Sequence, residues 1–275
     1  MENVYEKVGL YHYSPSQLNK PLGVWMFNYC HLDKDQRRKI KVGWNAAFGT
    51  AVHGGLQGML CSGVSLDEAI DSAQMSMDFH EAPASEPPEK LAKFRELIPE
   101  AIEQGIDLLA EPFGGSEEER RVEVSLAGVD LPVIGYIDLF KSDRFCEVKT
   151  KAARMGKVKS DGTRGWTKAT LPARPEYSHV CQVAVYEHAT GLKPNIAYVA
   201  AHGAILFSPD NCDELKPDYL AHCLEDMRSR AIRRQNLLHI STDPKVLAGL
   251  IDPDFEHPFY WDEEFKDEAK ELWKS

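Results

Sequence analysis

The sequence predicts an α/β fold: a mixed central sheet flanked by helices, with a helical elaboration at the N-terminal end. Two observations carry this. Helix signals dominate from Ser14 to about Leu109, and strand signals first appear near Arg120. The order from there is three strands, a helix, two strands and more helices, which is the order of one layered α/β unit. At 275 residues, 43% of them hydrophobic, the chain can bury one large core. We read a single domain with a mainly helical part over 1–115, a sheet core over 116–210 and C-terminal helices over 211–275. No internal repeat or low-complexity tract interrupts it.

Each element has its own signal. Ser14-Pro15-Ser16-Gln17-Leu18 supplies an N-cap with proline in the first turn. A second helix covers Trp44 to about Leu60. Ser65-Leu66-Asp67-Glu68 has the capping-box pattern and opens a third, which ends near the Pro-rich connector 83–88. Glu89 to about Leu109 is a long amphipathic helix, interrupted or bent at Pro99. The runs Arg120–Leu126, Leu131–Phe140 and Phe145–Thr150 form a three-stranded meander. Residues 151–175 lack periodicity and read as a long basic loop. Tyr177 to about Ala189 is a helix ended by Gly191. Asn195–Ala201 and Ala204–Phe207 are strands around the His202-Gly203 turn, and Asp218–Leu238 and Asp262–Trp273 are the last helices.

Composition narrows the function. No segment approaches 18 consecutive apolar residues, and the start lacks a signal-peptide layout, so a cytoplasmic protein without a membrane partner is expected. The six cysteines are scattered and read as reduced core residues. A net charge of −11 counts against indiscriminate nucleic-acid binding. The stretch from Arg144 to Arg174 nevertheless has nine basic residues against Glu147 and Asp161, a local balance of +7. A second cluster, Arg228, Arg230, Arg233 and Arg234, reads as a solvated helix face.

The chemistry is concentrated in Gly135-Tyr136-Ile137-Asp138-Leu139-Phe140 and Glu147-Val148-Lys149-Thr150. The polar turn Lys141-Ser142-Asp143-Arg144 joins them. A hairpin centred between Ser142 and Asp143 sets Asp138 opposite Glu147, with Cβ atoms about 5 Å apart. Two carboxylates that close repel unless a hard cation sits between them. Alternation puts Lys149 on the face of Glu147. Charged alternate positions often mark a solvated face. Here the surrounding Val133, Ile134, Ile137, Leu139, Phe140, Phe145, Cys146 and Val148 predict strands buried on both faces, where charges need partners.

With these residues in place, the chain resembles the PD-(D/E)XK nuclease superfamily, and within it the RecB-like exonuclease branch. Four further segments carry the likeness over about residues 14–210. They are Ser14–Leu18 running to Phe27-Asn28-Tyr29-Cys30, then Phe48-Gly49-Thr50-Ala51-Val52-His53, then Glu123 on the preceding strand, and Gln182-Val183-Ala184-Val185-Tyr186. The resemblance implies a restriction-endonuclease-like core and a metal-dependent DNA exonuclease acting on single strands or duplex ends. Its setting would be phage or bacterial recombination, replication or repair, with partner proteins from those processes. A structure-specific endonuclease with the same site, or a catalytically silent DNA-binding module, are the alternatives.

The resemblance also assigns roles. Asp138, Glu147 and the backbone carbonyl of Val148 would hold magnesium or manganese, with His53 as a further ligand. Lys149 would orient the attacking water. Gln182 and Tyr186, four apart on one helix face, would bind phosphate or brace the lysine. Glu123 is a candidate metal ligand, a carboxylate behind the ligands, or simply an exposed strand residue. Lys151, Arg154, Lys157, Lys159, Arg164, Lys168 and Arg174 would grip the phosphate backbone, and Trp166 and Tyr177 would stack on bases. Some members of the branch hold an iron–sulfur cluster with one N-terminal and three C-terminal cysteines. No cysteine follows Cys223 here, so no cluster is expected.

Overall fold

The computed structural model describes residues 3–158, 160, 164–256, 261 and 263–274. The N-terminal part holds α1 (Val4–Lys7), α2 (Pro15–Asn19), α3 (Leu22–Met26), α4 (Lys34–Arg38), α5 (Trp44–Ser62), α6 (Leu66–Asp78) and α7 (Pro88–Phe113). The expected caps at Ser14 and Ser65 are reciprocal: each hydroxyl accepts from the backbone three residues on, and that residue's side chain returns to the cap N–H. Helix α7 runs through Pro99 uninterrupted. Proline removes the N–H that the Arg95 carbonyl would accept, and Gln74 Nε2 donates to that carbonyl instead, at 3.3 Å.

The strands are β1 (Glu117–Val124), β2 (Val133–Phe140), β3 (Arg144–Thr150), β4 (Arg154–Val158), β5 (Arg164–Thr167), β6 (Lys193–Ala200) and β7 (Gly203–Phe207). Helix α8 (Tyr177–Thr190) links the β4–β5 hairpin to β6, and α9 (Pro217–Ile240), α10 (Pro244–Ala248) and α11 (Lys266–Lys274) follow β7. The main sheet has the order β1-β2-β3-β6-β7. It is antiparallel except between β3 and β6, which α8 joins as a crossover. The mixed α/β fold with a helical N-terminal elaboration is therefore as expected. Residues 151–175 are not a structureless loop, because β4 and β5 pair there as a separate two-stranded sheet. Asp262 lies outside the described residues, and the last helix begins at Lys266.

Two cores sandwich the sheet. Helices α8 and α9 bury Val133, Phe145, Ile196 and Tyr198 on one face. Helices α5 and α7 bury Cys146, Val148, Ala197 and Val199 on the other. Strand β3 is buried on both faces from Phe145 to Val148, as expected; β2 is not. Its alternate positions open toward solvent, and Tyr136 is 53% exposed.

One irregularity positions the site. The β2–β3 ladder holds Phe140↔Phe145 and Leu139↔Cys146, which is the register of a hairpin centred between Ser142 and Asp143. It does not extend to Asp138 and Glu147. Ile137 belongs to one core and Leu139 to the other, although strand residues two apart should share a face. The strand turns over at Asp138. Opposite this point on β1, Glu119 adopts φ 49°, a left-handed conformation that is uncommon for a residue with a side chain. Beyond Leu139 the strands β2 and β3 therefore part.

The parting leaves backbone groups without ladder partners, and each finds a substitute. Ile134 N–H donates to the Tyr13 carbonyl at 2.8 Å. Tyr136 N–H is directed at the Tyr186 hydroxyl. The Asp138 carbonyl accepts from Gln57 Nε2 at 3.1 Å, and Val148 N–H donates to Asp138 Oδ2 at 2.7 Å. The cleft between the strands is thus lined by side chains from α5 and α8 and by the backbone of the N-terminal segment at Tyr13.

Candidate active site

Asp138 occupies the turnover point, and its carboxylate reaches β3 by accepting from Val148 N–H rather than by pairing across a ladder. On β3 and just past its end, the peptide groups of Phe145 and Lys151 face β6, since Asn195 Nδ2 donates to the Phe145 carbonyl and Lys151 N–H donates to the Val199 carbonyl. Alternation turns the Val148 peptide groups, carbonyl included, toward the cleft.

Glu147 is 3% exposed. Its Oε1 accepts from Lys149 Nζ at 2.7 Å and from Gln182 Nε2 at 2.6 Å. Gln182 Oε1 in turn accepts from Lys149 Nζ at 3.0 Å, and Gln182 Nε2 also reaches the Tyr186 hydroxyl at 2.9 Å. One amide thus fixes the acid, the ammonium and the phenol. Tyr186 lies flat on β2 because residue 135 is glycine. A Cβ there would intrude into the Tyr186 ring, 2.7 Å from its hydroxyl oxygen. Gly135→Ala is expected to cost about 1–3 kcal/mol through this overpacking, read as a lowered urea midpoint with an unchanged slope. A wild-type midpoint would mean that Tyr186 yields freely. On the other side, α5 approaches β3 closely at Gly49, where a Cβ would lie 2.7 Å from Thr150 Oγ1.

His53 projects from α5 with Nε2 3.3 Å from Asp138 Oδ1, in an ion-pair distance but without hydrogen-bond alignment. Burial holds its pKa below the ordinary imidazole value, so the ring is neutral and keeps a lone pair. Burial pushes Asp138 up to about 6, against the pull of Lys149 and of the Val148 N–H. Burial and then the Asp138 charge push Glu147 up to about 7. Burial lowers Lys149, but the charges of Glu147 and Asp138 outweigh it and hold the ammonium protonated.

The cluster is therefore short of positive charge. Glu147 Oε2 and His53 Nε2 are buried and have no hydrogen-bond partner. Among the described residues, no three His, Cys, Asp or Glu side chains already form a metal-holding group. The arrangement is closed instead by Lys149, Gln182 and the Val148 N–H.

The remaining candidates divide. Glu123 is exposed and pairs with Arg121 at 2.6 Å, away from the cluster. The β1 carboxylate whose charge bears on both His53 and Asp138 is Glu119. Arg154, Lys157, Arg164 and Lys168 are exposed on or beside the β4–β5 hairpin, and Lys159 lies outside the described residues. Lys151 pairs with Glu176 and sits 5.4 Å over the Tyr198 ring. Arg174 reaches Glu214 at 3.7 Å. Trp166 is half-buried and meets Phe94 edge-on at 6.1 Å, while Tyr177 stays 38% exposed.

Two residues beside the site carried signals that periodicity alone could have raised. Gln57 is four after His53 on α5, and His179 is three before Gln182 on α8, so each shares a helix face with a motif residue. His179 Nδ1 lies 2.7 Å from the Tyr198 hydroxyl. Burial, and then the Lys149 charge, push His179 down to about 3. Glu119 had no such signal, because a left-handed φ at glutamate is not written in the sequence.

No protein-family model matches this chain, and neither does any curated protein. Among solved structures it is similar to one described as "Putative exonuclease" from Eubacterium rectale. That likeness has a TM-score of 0.53 at 14% identity and covers 89% of this chain and 84% of that one. At this identity it bears on the fold alone. A second solved chain has a TM-score of 0.28 and carries no argument. Among the described residues, no helix is long and apolar enough to cross a membrane.

Proposed function

We propose that this chain is a metal-dependent nuclease that hydrolyses DNA phosphodiester bonds as an exonuclease on single strands or duplex ends. One observation carries the reading. A buried carboxylate, Glu147, grips an ammonium, a second carboxylate and a neutral imidazole lie beside them, and a buried carboxylate oxygen and an imidazole nitrogen there have no hydrogen-bond partner. The hard-oxygen donor set of Asp138, Glu147 and the Val148 carbonyl, with His53, fits magnesium or manganese. A bound ion would acidify a water and polarise the phosphate.

The chain's own residues do the rest. Lys149, protonated and gripped by Glu147 and Gln182, orients the attacking water and offsets charge developing on the phosphate oxygens. Gln182 and Tyr186 keep that ammonium from swinging out by tying it to β2 and α8. The exposed cations of the β4–β5 hairpin supply an electrostatic track for a polyanion on an otherwise acidic protein. The nuclease-like fold shared with a protein described as an exonuclease supports the same reading.

The test digests end-labelled single- and double-stranded DNA, and a covalently closed single-stranded circle, with magnesium or manganese and with EDTA. The expected result is EDTA-sensitive shortening of the linear strands with the circle intact. A cut circle would make the enzyme an endonuclease, and uncut DNA under every metal would overturn the proposal.

A further inference from the structure

The arginine cluster of α9 is only in part a solvated face: Arg233 is exposed, but Arg234 is not. Arg234 is 3% exposed. Its guanidinium donates to the carbonyls of Gln17, Leu18 and Lys20 at 3.3, 3.1 and 2.6 Å, and to Arg230 at 3.0 Å, and it lies 5.4 Å over the Trp25 ring. It pins the turn after α2 to α9. That pin gathers Lys20, Arg230 and Arg233 around one cavity of ≈ 250 Å³.

The cations in this cavity are poorly compensated. Arg230 is shared between Asn19 Oδ1 and Asp226, each at 2.7 Å. Among the described residues, Asp226 is the one acid in ion-pair contact with any of these four cations. Lys20 and Arg233 are exposed and have no ion-pair partner there, and the buried Arg234 Nε has no hydrogen-bond partner. Three guanidinium groups and an ammonium around a hollow match the planar, polydentate recognition of a phosphate.

The cavity adjoins the site. Asn19 Nδ2 donates to the Ser178 carbonyl at 2.9 Å, in the first turn of α8. Gln182 is one turn further, about 6 Å along the helix axis. Tyr177, one residue before Ser178, lies under Arg230, with the cation 5.9 Å from the ring centroid, and donates its hydroxyl to Asp226 at 3.1 Å. A strand lying across Lys149 and Gln182 would reach this hollow within a few nucleotides, because Ser178 and Gln182 share a face of α8.

We propose that the cavity formed by Asn19, Lys20, Arg230, Arg233 and Arg234 holds a phosphate of the substrate strand next to the cleavage site. This rests on the nuclease reading above. The ligand is a phosphate ester of the strand, either an internal diester or a terminal monoester.

The experiment measures anisotropy of labelled oligothymidylate against salt, in calcium to suppress turnover, for the wild type and for Lys20→Ala/Arg233→Ala. Both residues are exposed, so the variant keeps the Arg234 pin. The expected result is binding weakened about 10-fold, with the salt slope smaller by about 1. Lys20→Arg/Arg233→Lys should recover most of the affinity, since both charges are kept and Arg230, which can supply the planar contact, is unchanged. A loss confined to strands with a 5′- or 3′-phosphate would identify a terminal monoester, and an equal loss on hydroxyl-ended strands an internal diester. Wild-type affinity and slope in the alanine variant, while the wild type cleaves DNA, would overturn this site and leave the nuclease intact. A wild type that neither binds nor cuts DNA would remove both proposals together.

Discussion

Lys149→Ala is expected to lower the rate of DNA cleavage by about 10³-fold while binding of the strand changes little. The lysine ammonium is the one cation in contact with Glu147 within the cluster, and Gln182 holds it toward the same oxygen. Removing it takes away the ammonium that would place the water and meet charge on the phosphate. Loss of a buried partner also strands a carboxylate, which ordinarily costs several kcal/mol. Glu147 has an escape, because its pKa already lies near 7 and it can take up a proton. The variant should therefore stay folded near pH 6, where single-turnover cleavage and the melting temperature can be measured on the same sample. Cleavage at the wild-type rate would remove Lys149 from the chemistry.

The second large effect is on stability, and its sign follows from the carboxyls. Asp138 and Glu147 have folded values of about 6 and 7, above their ordinary 3.8 and 4.5. The folded state holds these protons more tightly than the unfolded chain, so stability falls as pH rises between the ordinary and the folded values. Each group contributes on the order of 3 kcal/mol. The imidazoles of His53 and His179, held low by burial, act in the opposite direction over part of that range. A comparison with Glu147→Gln isolates the acid. Relative to the wild type, the variant should gain about 6–10 °C in melting temperature as pH goes from about 4.5 to 8. Magnesium or manganese at pH 8 should raise the wild type and leave the variant nearly unmoved. Parallel pH curves for the two proteins, with equal metal responses, would mean that Glu147 is neither strained nor a ligand.

Much of the site was legible because it obeys simple periodicities. Equal distances from the turn gave the Leu139↔Cys146 register, and a four-residue helix spacing brought Gln182 and Tyr186 to one face. What escaped depends on exceptions to those periodicities. The turnover at Asp138 needs a left-handed Glu119, so the expected ladder pair became a side-chain contact to Val148 N–H. Glu123, the β1 carboxylate that the family likeness singles out, pairs with Arg121 instead, and the exposed Glu119 is the one whose charge bears on the site. The β4–β5 hairpin lacks alternation, and its pairing shifts register between Met155 and Val158. Arg234 looked like one of four surface arginines because burial of a guanidinium by distant carbonyls leaves no local mark. Pro99 reads as an interruption or a bend because its remedy, Gln74, lies on another helix.

The parted strands also say something about when the chain becomes competent. A continuous hairpin could form early from local contacts alone. Here the open edge is completed by Gln57, 81 residues before Asp138, by Gln182, 35 residues after Glu147, and by Tyr13 from the far N-terminal segment. Such closures carry a large chain-entropy cost and come late. On the proposed nuclease reading, the hairpin that bears the acids would be inert until the last of these distant segments docks, and cutting ability would arrive with the finished fold and not before it.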